Sequence, residues 1–173
     1  NTIDFPAAAA GAVTGRLTVG GERLMYMTGA GATRNFFAGH NSGSLTITGS
    51  RTTGVGTGAL GNVSSGSHNT AFGDQALVST NTGNYNSAIG LNSLYANTSG
   101  SYNVAIGYEA GYGSATGNTT GSNNIFIGSN TSIVGSTQLT NATAIGYNAL
   151  VGASNSIVLG GTGADAVNVG IGT

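Results

Sequence analysis

Residues 103–107 read Asn-Val-Ala-Ile-Gly, and close variants of this phrase recur along most of the chain. The closing glycines of all nine copies are Gly39, Gly56, Gly73, Gly90, Gly107, Gly128, Gly146, Gly160 and Gly172. The first five are spaced by 17 residues, and Ala-Leu or Ser-Leu follows four of the glycines three and four positions later, at residues 59–60, 76–77, 93–94 and 149–150. Self-similarity at a fixed period predicts a repeat architecture in which each unit packs against its neighbours.

The composition narrows the class of protein further. Charged residues make up 5% of the 173 residues and the net charge is -1, so there is no electrostatic footprint for nucleic acid. No apolar run approaches the roughly 18 residues that a membrane span needs, and no cysteine offers a disulfide or a thiolate metal site. The chain opens at Asn1 without Met or a signal peptide, which indicates a piece of a longer protein.

The repeat unit predicts short β-strands. Apolar phrases of three to five residues alternate with Gly, Asn, Ser and Thr clusters, and no 3.6-residue period indicates a helix. In the unit that opens at Asn86, we expect one strand over residues 87–89 and a second over residues 93–95. Stacked coils of this kind rise by about 4.8 Å each, so the sequence predicts an all-β parallel solenoid of about nine short coils.

Two positions of the phrase predict which side of the strand faces inward. The residue before the glycine is large and apolar, so we expect Ile89, Ile106 and Ile145 in the interior of the coil. The preceding residue is small and points the other way, as at Ala71, Ala88 and Ala105. A column of small side chains suits close approach of another backbone, so this face predicts a neighbouring chain.

The N-terminal part departs from the repeat. Residues 1–34 predict an irregular lead-in and a short β-hairpin, with strands over 16–19 and 22–27 and a Gly-Gly turn between them. Residues 35–173 hold the repeats. Within these, residues 36–37 (Phe-Phe) and Phe126 predict wider coils, and the 21-residue interval that ends at Gly128 predicts a loop around residues 113–120.

The phrase at residues 86–90 (Asn-Ser-Ala-Ile-Gly) resembles the head repeats of trimeric autotransporter adhesins. The 17-residue spacing and turns such as residues 97–100 (Asn-Thr-Ser-Gly) look closer still to fibre proteins of tailed phages and predatory bacteria. The resemblance covers residues 35–173 and implies a left-handed parallel β-roll assembled as a parallel homotrimer. In such fibres an ending like residues 168–173 typically precedes a C-terminal chaperone that trimerises the fibre and cleaves itself off.

By this resemblance we expect a tip segment of a trimeric surface fibre or adhesin that recognises a cell-surface receptor, such as an envelope glycan. Its location would be extracellular, on a cell-surface fibre or on a virion tail fibre, without direct membrane insertion and without nucleic acid as a partner. The alternative is a purely structural spacer whose binding domain lies elsewhere. An ice-binding surface fits less well because the Thr residues scatter among turns, and a depolymerising tailspike fits least.

The titratable residues do not predict catalysis. The carboxylates are Asp4, Glu22, Asp74, Glu109 and Asp165. Asp74 and Glu109 lie two coils apart at different phases, whereas glycan hydrolysis needs two carboxylates within about 10 Å. His40 and His68 have no metal-ligand spacing and no evident serine-acid partner. We therefore expect no enzyme activity, no metal and no cofactor.

The aromatic residues are the candidate ligand-binding residues. His68, Tyr85 and Tyr102 share one phase, five residues before the glycine, and predict a ladder with one ring per coil. Such a ladder either stabilises the solenoid or offers a stacking platform for sugar rings. Further candidates are Tyr108, just after a glycine, Tyr112, in the expected loop, and Tyr26, which fits a core or trimer contact as well.

Overall fold

The computed structural model describes residues 14–20, 22–29, 34–113, 119–135 and 138–161. These residues form β-strands and turns and contain no helix, so none of them belongs to a helix that could cross a membrane. The strands are β1 Thr14–Val19, β2 Glu22–Thr28, β3 Asn35–Ala38, β4 Thr53–Val55, β5 Thr70–Phe72, β6 Ser87–Ile89, β7 Val104–Ile106, β8 Ile125–Ile127, β9 Ser132–Ile133, β10 Thr143–Ile145, β11 Leu150–Val151 and β12 Ile157–Leu159.

Ten of the strands form one sheet in the order β1-β2-β3-β4-β5-β6-β7-β8-β10-β12. β1, β2 and β3 pair antiparallel, and from β3 onward every pair is parallel and in register. This is a parallel solenoid of about seven turns, fewer than the nine coils expected. Each turn is an interval between two phrases, and the last phrase, residues 168–172, lies outside the described residues.

The strand predicted over residues 93–95 does not form, and the backbone geometry explains why. After β6, Gly90 has φ 133°, Asn92 has φ 57° and Leu94 has φ 49°. Residues in the left-handed region cannot continue an extended strand. The chain therefore crosses the second side of the regular coils as a series of turns, and a second sheet, β9 paired with β11, forms only in the later coils.

The predicted facing of the strands is wrong. Ala71, Ala88 and Ala105 are fully buried inside the coils, whereas Ile89, Ile106 and Ile145 are 45%, 41% and 37% exposed. Because side chains alternate across a strand, a shift of one residue reverses every assignment. The alanine column is therefore the core of this chain, and the large apolar column is its outer surface.

The leucine that follows Gly56, Gly73 and Gly90 by four positions explains the reversal. Leu60, Leu77 and Leu94 are fully buried and fill the narrow interior from the opposite side. A Cβ atom built on Gly54, which occupies the inward strand position, would lie 2.9 Å from Phe37 Cδ1 and would already touch Leu60 Cδ1 at 3.4 Å. Only small residues fit opposite these leucines, so the large residue of each phrase must point outward.

Two of the phenylalanines that predicted wider coils fill interior space in coils that have glycine where the regular coils have leucine. Phe37 and Phe126 are fully buried at the inward strand position. A Cβ atom on Gly111, which stands where the regular coils have leucine, would lie 2.8 Å from Phe126 Cδ2. A Cβ atom on Gly43 would overlap the Phe37 ring in the same way. Small and large residues thus exchange places across the interior and conserve its volume.

A buried asparagine ladder joins the coils. Asn86 Oδ1 accepts a hydrogen bond from the Asn103 N–H at 3.0 Å, and its Nδ2 donates to the Gly100 carbonyl at 2.8 Å. Asn69 and Asn103 make equivalent bonds in the neighbouring coils. The opening asparagine of each phrase therefore satisfies buried backbone groups where the chain turns between coils.

Candidate functional site

The predicted ladder of rings is present on the surface. His68 stacks on Tyr85 with ring centroids 4.6 Å apart, and Tyr85 stacks on Tyr102 at 4.9 Å with the planes inclined by 7°. Tyr85 is 48% exposed and Tyr102 is 56% exposed. The three residues therefore form a continuous stacked column with outward-facing edges.

The ladder stands at a backbone position that favours asparagine. His68, Tyr85 and Tyr102 have φ values of 59°, 57° and 59°. Asn123 and Asn141 occupy the same position in later coils with φ 59° and 57°. Asparagine tolerates the left-handed region better than bulky side chains do. The backbone conformation at this position therefore does not by itself favour an aromatic residue.

Stacking determines what the rings can offer to a ligand. One face of Tyr85 is covered by His68 and the other by Tyr102, so a sugar can reach its edge and hydroxyl group but not a face. In the coil after Tyr102 the ladder position is occupied by Asn123, which has no ring to stack. The ladder therefore presents edges and hydroxyl groups, which donate and accept hydrogen bonds.

Tyr108, Glu109 and Tyr112 lie together at the start of the 21-residue interval. Tyr108 donates a hydrogen bond to the Glu109 carboxylate, and this bond together with the carboxylate charge raises the pKa of Tyr108. Tyr112 packs against Tyr95 with ring centroids 5.1 Å apart. The structure thus brings Tyr108 and Tyr112 together, away from the ladder phase.

An open groove lies beside this cluster. It has a volume of about 480 Å³ and is lined by Glu109, Tyr112, Gly113, Asn130, Ser132, Ile133 and Leu150. This size falls in the range of about 300–1,000 Å³ that is usual for small-molecule sites. The groove forms where the coil geometry changes and the β9–β11 sheet begins. Of the loop expected around residues 113–120, residues 114–118 lie outside the described residues.

Tyr26 lies in the core and not at a ligand surface. It is 1% exposed, its hydroxyl donates to the Ser42 carbonyl at 2.8 Å, and its ring packs against Phe37. Burial raises the pKa of Tyr26 to about 12, against the opposing charge of Arg23, whose guanidinium lies 5.0 Å from the ring centroid. Its ring therefore offers no accessible face to a ligand.

The outer face of the large sheet is a surface that the sequence interpretation placed inside the protein. Six large apolar residues occupy consecutive positions along it and are all partly exposed: Phe72, Ile89, Ile106, Ile127, Ile145 and Leu159. The parallel register stacks them in one column, with a second column two residues earlier that includes Ile125 and Ile157. The leucine four positions after Gly56, Gly73 and Gly90 was the signal for this facing.

The titratable residues remain scattered in the part of the chain that the structure describes. There, no three His, Asp or Glu side chains group as metal ligands. His40 pairs with Glu22 at 3.2 Å on the exposed rim of the hairpin. Asp4 and Asp165 lie outside the described residues.

The candidate site comprises a stacked ladder, an open groove and an apolar sheet face. None of these brings together an activated nucleophile and a base. Comparison of the chain with protein-family models, curated proteins and solved structures found no match.

Proposed function

We propose that the chain is a segment of a homotrimeric extracellular fibre that recognises a receptor on a cell surface, such as an envelope glycan. The proposal has two parts, assembly and recognition. The observation that carries it is the exposed apolar column on the outer face of the large sheet.

The apolar column favours assembly. Its six side chains from Phe72 to Leu159 extend over roughly 24 Å at the usual rise per coil. Soluble monomers rarely expose a contiguous apolar patch larger than a few hundred Å². Covering this face removes the patch from water, which contributes about 25 cal/mol for each Å² buried.

A second and third copy of the same chain fit this face. The outward strand positions from β4 to β12 carry no charged residue, so identical faces meet without repulsion. In a closed symmetric assembly each copy covers its neighbour's column, and no sheet face remains open. The resemblance to trimeric adhesin heads supports three copies, with the isoleucine column and not the alanine column at the interface.

Recognition is supported by the ladder and the groove. The ladder of His68, Tyr85 and Tyr102 and the groove beside Tyr112 offer polar groups and ring edges without any catalytic arrangement. Threefold repetition multiplies a weak site, because each further contact forms at high effective concentration. Individual dissociation constants in the micromolar to millimolar range are therefore sufficient.

A structural spacer is the second candidate. One observation favours it: the two faces of Tyr85 are used by its neighbours, as in ladders that stabilise stacked strands. A spacer would assemble in the same way but bind no receptor. Assembly and binding are therefore tested separately.

Assembly is tested by the mass of the particle in solution. We expect three times the chain mass of 16.8 kDa by analytical ultracentrifugation. Ile106→Asp places a charge in the apolar column and should dissociate the trimer. Thr82→Asp adds the same charge at an exposed turn and should leave it intact. A wild-type mass of one chain contradicts the assembly.

Recognition is tested by sedimentation with purified bacterial envelopes and by a glycan array. We expect binding by the trimer and weaker binding by Ile106→Asp, since dissociation removes avidity. Binding to neither envelopes nor glycans by an intact trimer would favour the spacer. Turnover of a bound glycan would contradict a purely binding function.

A further inference from the structure

The ladder continues at one end into positive charge. Arg51 and Arg34 lie one and two coils before His68, at the same position five residues before a closing glycine. The Arg51 N–H donates to the Arg34 carbonyl at 3.1 Å, and Arg51 Nη1 lies 3.2 Å from His68 Nε2. Five successive coils therefore present Arg34, Arg51, His68, Tyr85 and Tyr102 in one column, which we call the basic-aromatic strip.

We propose that the basic-aromatic strip binds an acidic saccharide, a carbohydrate that carries carboxylate, sulfate or phosphate groups. This rests on the receptor recognition proposed above and names the chemistry of that receptor. The two guanidinium groups pair with the anionic groups, and the tyrosine edges and hydroxyl groups contact the sugar hydroxyls.

The distribution of charge supports the assignment. The chain has four basic residues other than histidine, all of them arginine, and two of these lie in adjacent coils of the strip. Like charges on neighbouring strands repel each other. An anion bound across both arginines would relieve this repulsion and form charge-assisted hydrogen bonds with the guanidinium groups.

The surroundings of the strip also suit an anion. Residues 49–52, 66–69 and 83–86, which contain the strip positions in three successive coils, include no carboxylate. The column beside it is made of Ser50, Ser67, Asn84 and Ser101, polar side chains that also hold the coils together. Within these three segments a ligand on the strip therefore meets the charge of Arg51 and neutral polar groups.

The strip is not optimised for stability alone. Arg51 has φ 56°, and the bulky residues after it lie in the same left-handed region that later coils fill with asparagine. When His68 Nε2 accepts from Arg51, its Nδ1 carries the hydrogen and is buried without a partner. An unsatisfied buried donor costs free energy, and such local costs are typical of functional positions.

The stacking distinguishes a saccharide from a nucleic acid. Proteins that bind single-stranded nucleic acid stack the bases on open aromatic faces. Here both faces of Tyr85 and one face of Tyr102 are covered, and the edges with their hydroxyl groups remain. Hydroxyl groups and guanidinium forks match the hydroxyl and acid groups of an acidic sugar, with about one contact per coil rise of 4.8 Å.

Affinity gel electrophoresis of the full chain tests the proposal. The probes are heparin for sulfate, polygalacturonate for carboxylate, a phosphorylated dextran for phosphate and unmodified dextran as the neutral polymer. We expect retardation by at least one acidic polymer, which identifies the acid group, and none by neutral dextran. Equal retardation by neutral dextran, or stronger retardation by a single-stranded oligonucleotide, overturns the proposal.

Two matched variants locate the site. Arg51→Gln should weaken binding of the acidic polymer about tenfold, the loss of one charged hydrogen bond. Arg16→Gln removes the same charge from an exposed position on β1 and should bind like the wild type. Equal binding by the two variants overturns the assignment. Circular dichroism and particle mass confirm that both variants remain folded and assembled.

The same variants separate this proposal from receptor recognition in general. If Arg51→Gln binds envelopes as well as the wild type does, the receptor function stands and the acidic-saccharide assignment is overturned. If the wild type binds the acidic polymer but no envelope, the assignment stands and recognition of bacterial envelopes fails.

Discussion

Two sets of coils share the same backbone conformation but carry different side chains. The regular coils end at Gly73, Gly90 and Gly107, and the later coils end at Gly128, Gly146 and Gly160. Both sets use left-handed residues five positions before and two positions after the glycine. The regular coils place His68, Tyr85 and Tyr102 at the first of these positions, whereas the later coils place asparagine there. The comparison shows which residues the fold requires and which it only tolerates.

The interior differs between the two sets as well. Regular coils pair an inward alanine with a leucine, as Ala88 does with Leu94. The first irregular interval has Gly111 in place of leucine, and Phe126 of the next coil fills the space. The stack therefore conserves interior volume and not residue type, and the groove appears where this exchange takes place.

The largest effect should come from the glycine that both sets share. Gly90 has φ 133°, and a methyl group there would overlap the Gly107 carbonyl of the next coil. We expect Gly90→Ala to cost about 5 kcal/mol or more, through strain and collision together. Denaturant unfolding at fixed protein concentration measures the cost.

Gly152→Ala is the control for this prediction. A Cβ atom at Gly152 would meet only Val134, at 3.7 Å, in ordinary contact. It should change the free energy of unfolding by less than about 1 kcal/mol. Equal destabilisation by the two variants would show that close stacking of the glycines does not hold the coils together.

The exchange of volume across the interior gives the second prediction. Phe126→Ala should cost about 3–5 kcal/mol, because it opens a cavity in the core. Adding Gly111→Leu restores the arrangement of a regular coil, since Leu94 occupies the equivalent position with φ 49°. The double variant should recover about 1–3 kcal/mol of the loss. Additive losses in a double-mutant cycle would contradict the exchange.

The asparagine ladder gives a somewhat smaller effect. Asn86→Ala leaves the buried Asn103 N–H without its side-chain partner, and it removes one of the two side-chain amides that donate to the Gly100 carbonyl. We expect a cost of about 2–4 kcal/mol for these buried groups. Asn62→Ala, at an exposed turn, should cost less than about 0.5 kcal/mol. A smaller loss at Asn86 than at Asn62 would argue against the ladder as a source of stability.

Periodicity predicted the architecture because the 17-residue spacing repeats both the strand and its turns. The stacked rings of Tyr85 and Tyr102 followed from the same phase. The facing of the strand was predicted wrongly because the apolar character of Ile106 suggested that it lies in the interior. Leucines such as Leu94 occupy the interior instead, so Ile106 points outward. Counting the volume that each coil must hold would have placed Ala105 inside.

The groove could not be predicted because it depends on backbone geometry between coils. Gly111 and Phe126 belong to different repeats, and no periodic signal connects them. The pairing of Tyr108 with Glu109 is local in sequence, but its position beside Asn130 depends on how the next coil stacks. The phase of Arg34 and Arg51 was readable from the sequence, since both lie five residues before a glycine.

The smallest expected effect on stability separates the two sets of coils most clearly. Replacing both rings, Tyr85→Asn with Tyr102→Asn, gives the regular coils the residue that Asn123 provides in a later coil. Asparagine relieves left-handed strain, while the lost stacking contributes about 0.5–1.5 kcal/mol for each aromatic pair. We therefore expect the free energy of unfolding to change by less than about 1 kcal/mol.

Binding of the acidic polymer should nevertheless fall severalfold in the same double variant, because the tyrosine edges and hydroxyl groups are lost. Unfolding curves and affinity electrophoresis on one preparation measure both quantities. A loss of several kcal/mol with unchanged binding would make the rings a structural ladder. Unchanged stability with weakened binding would show that the regular coils retain these rings for a ligand, since the backbone accepts asparagine at that position.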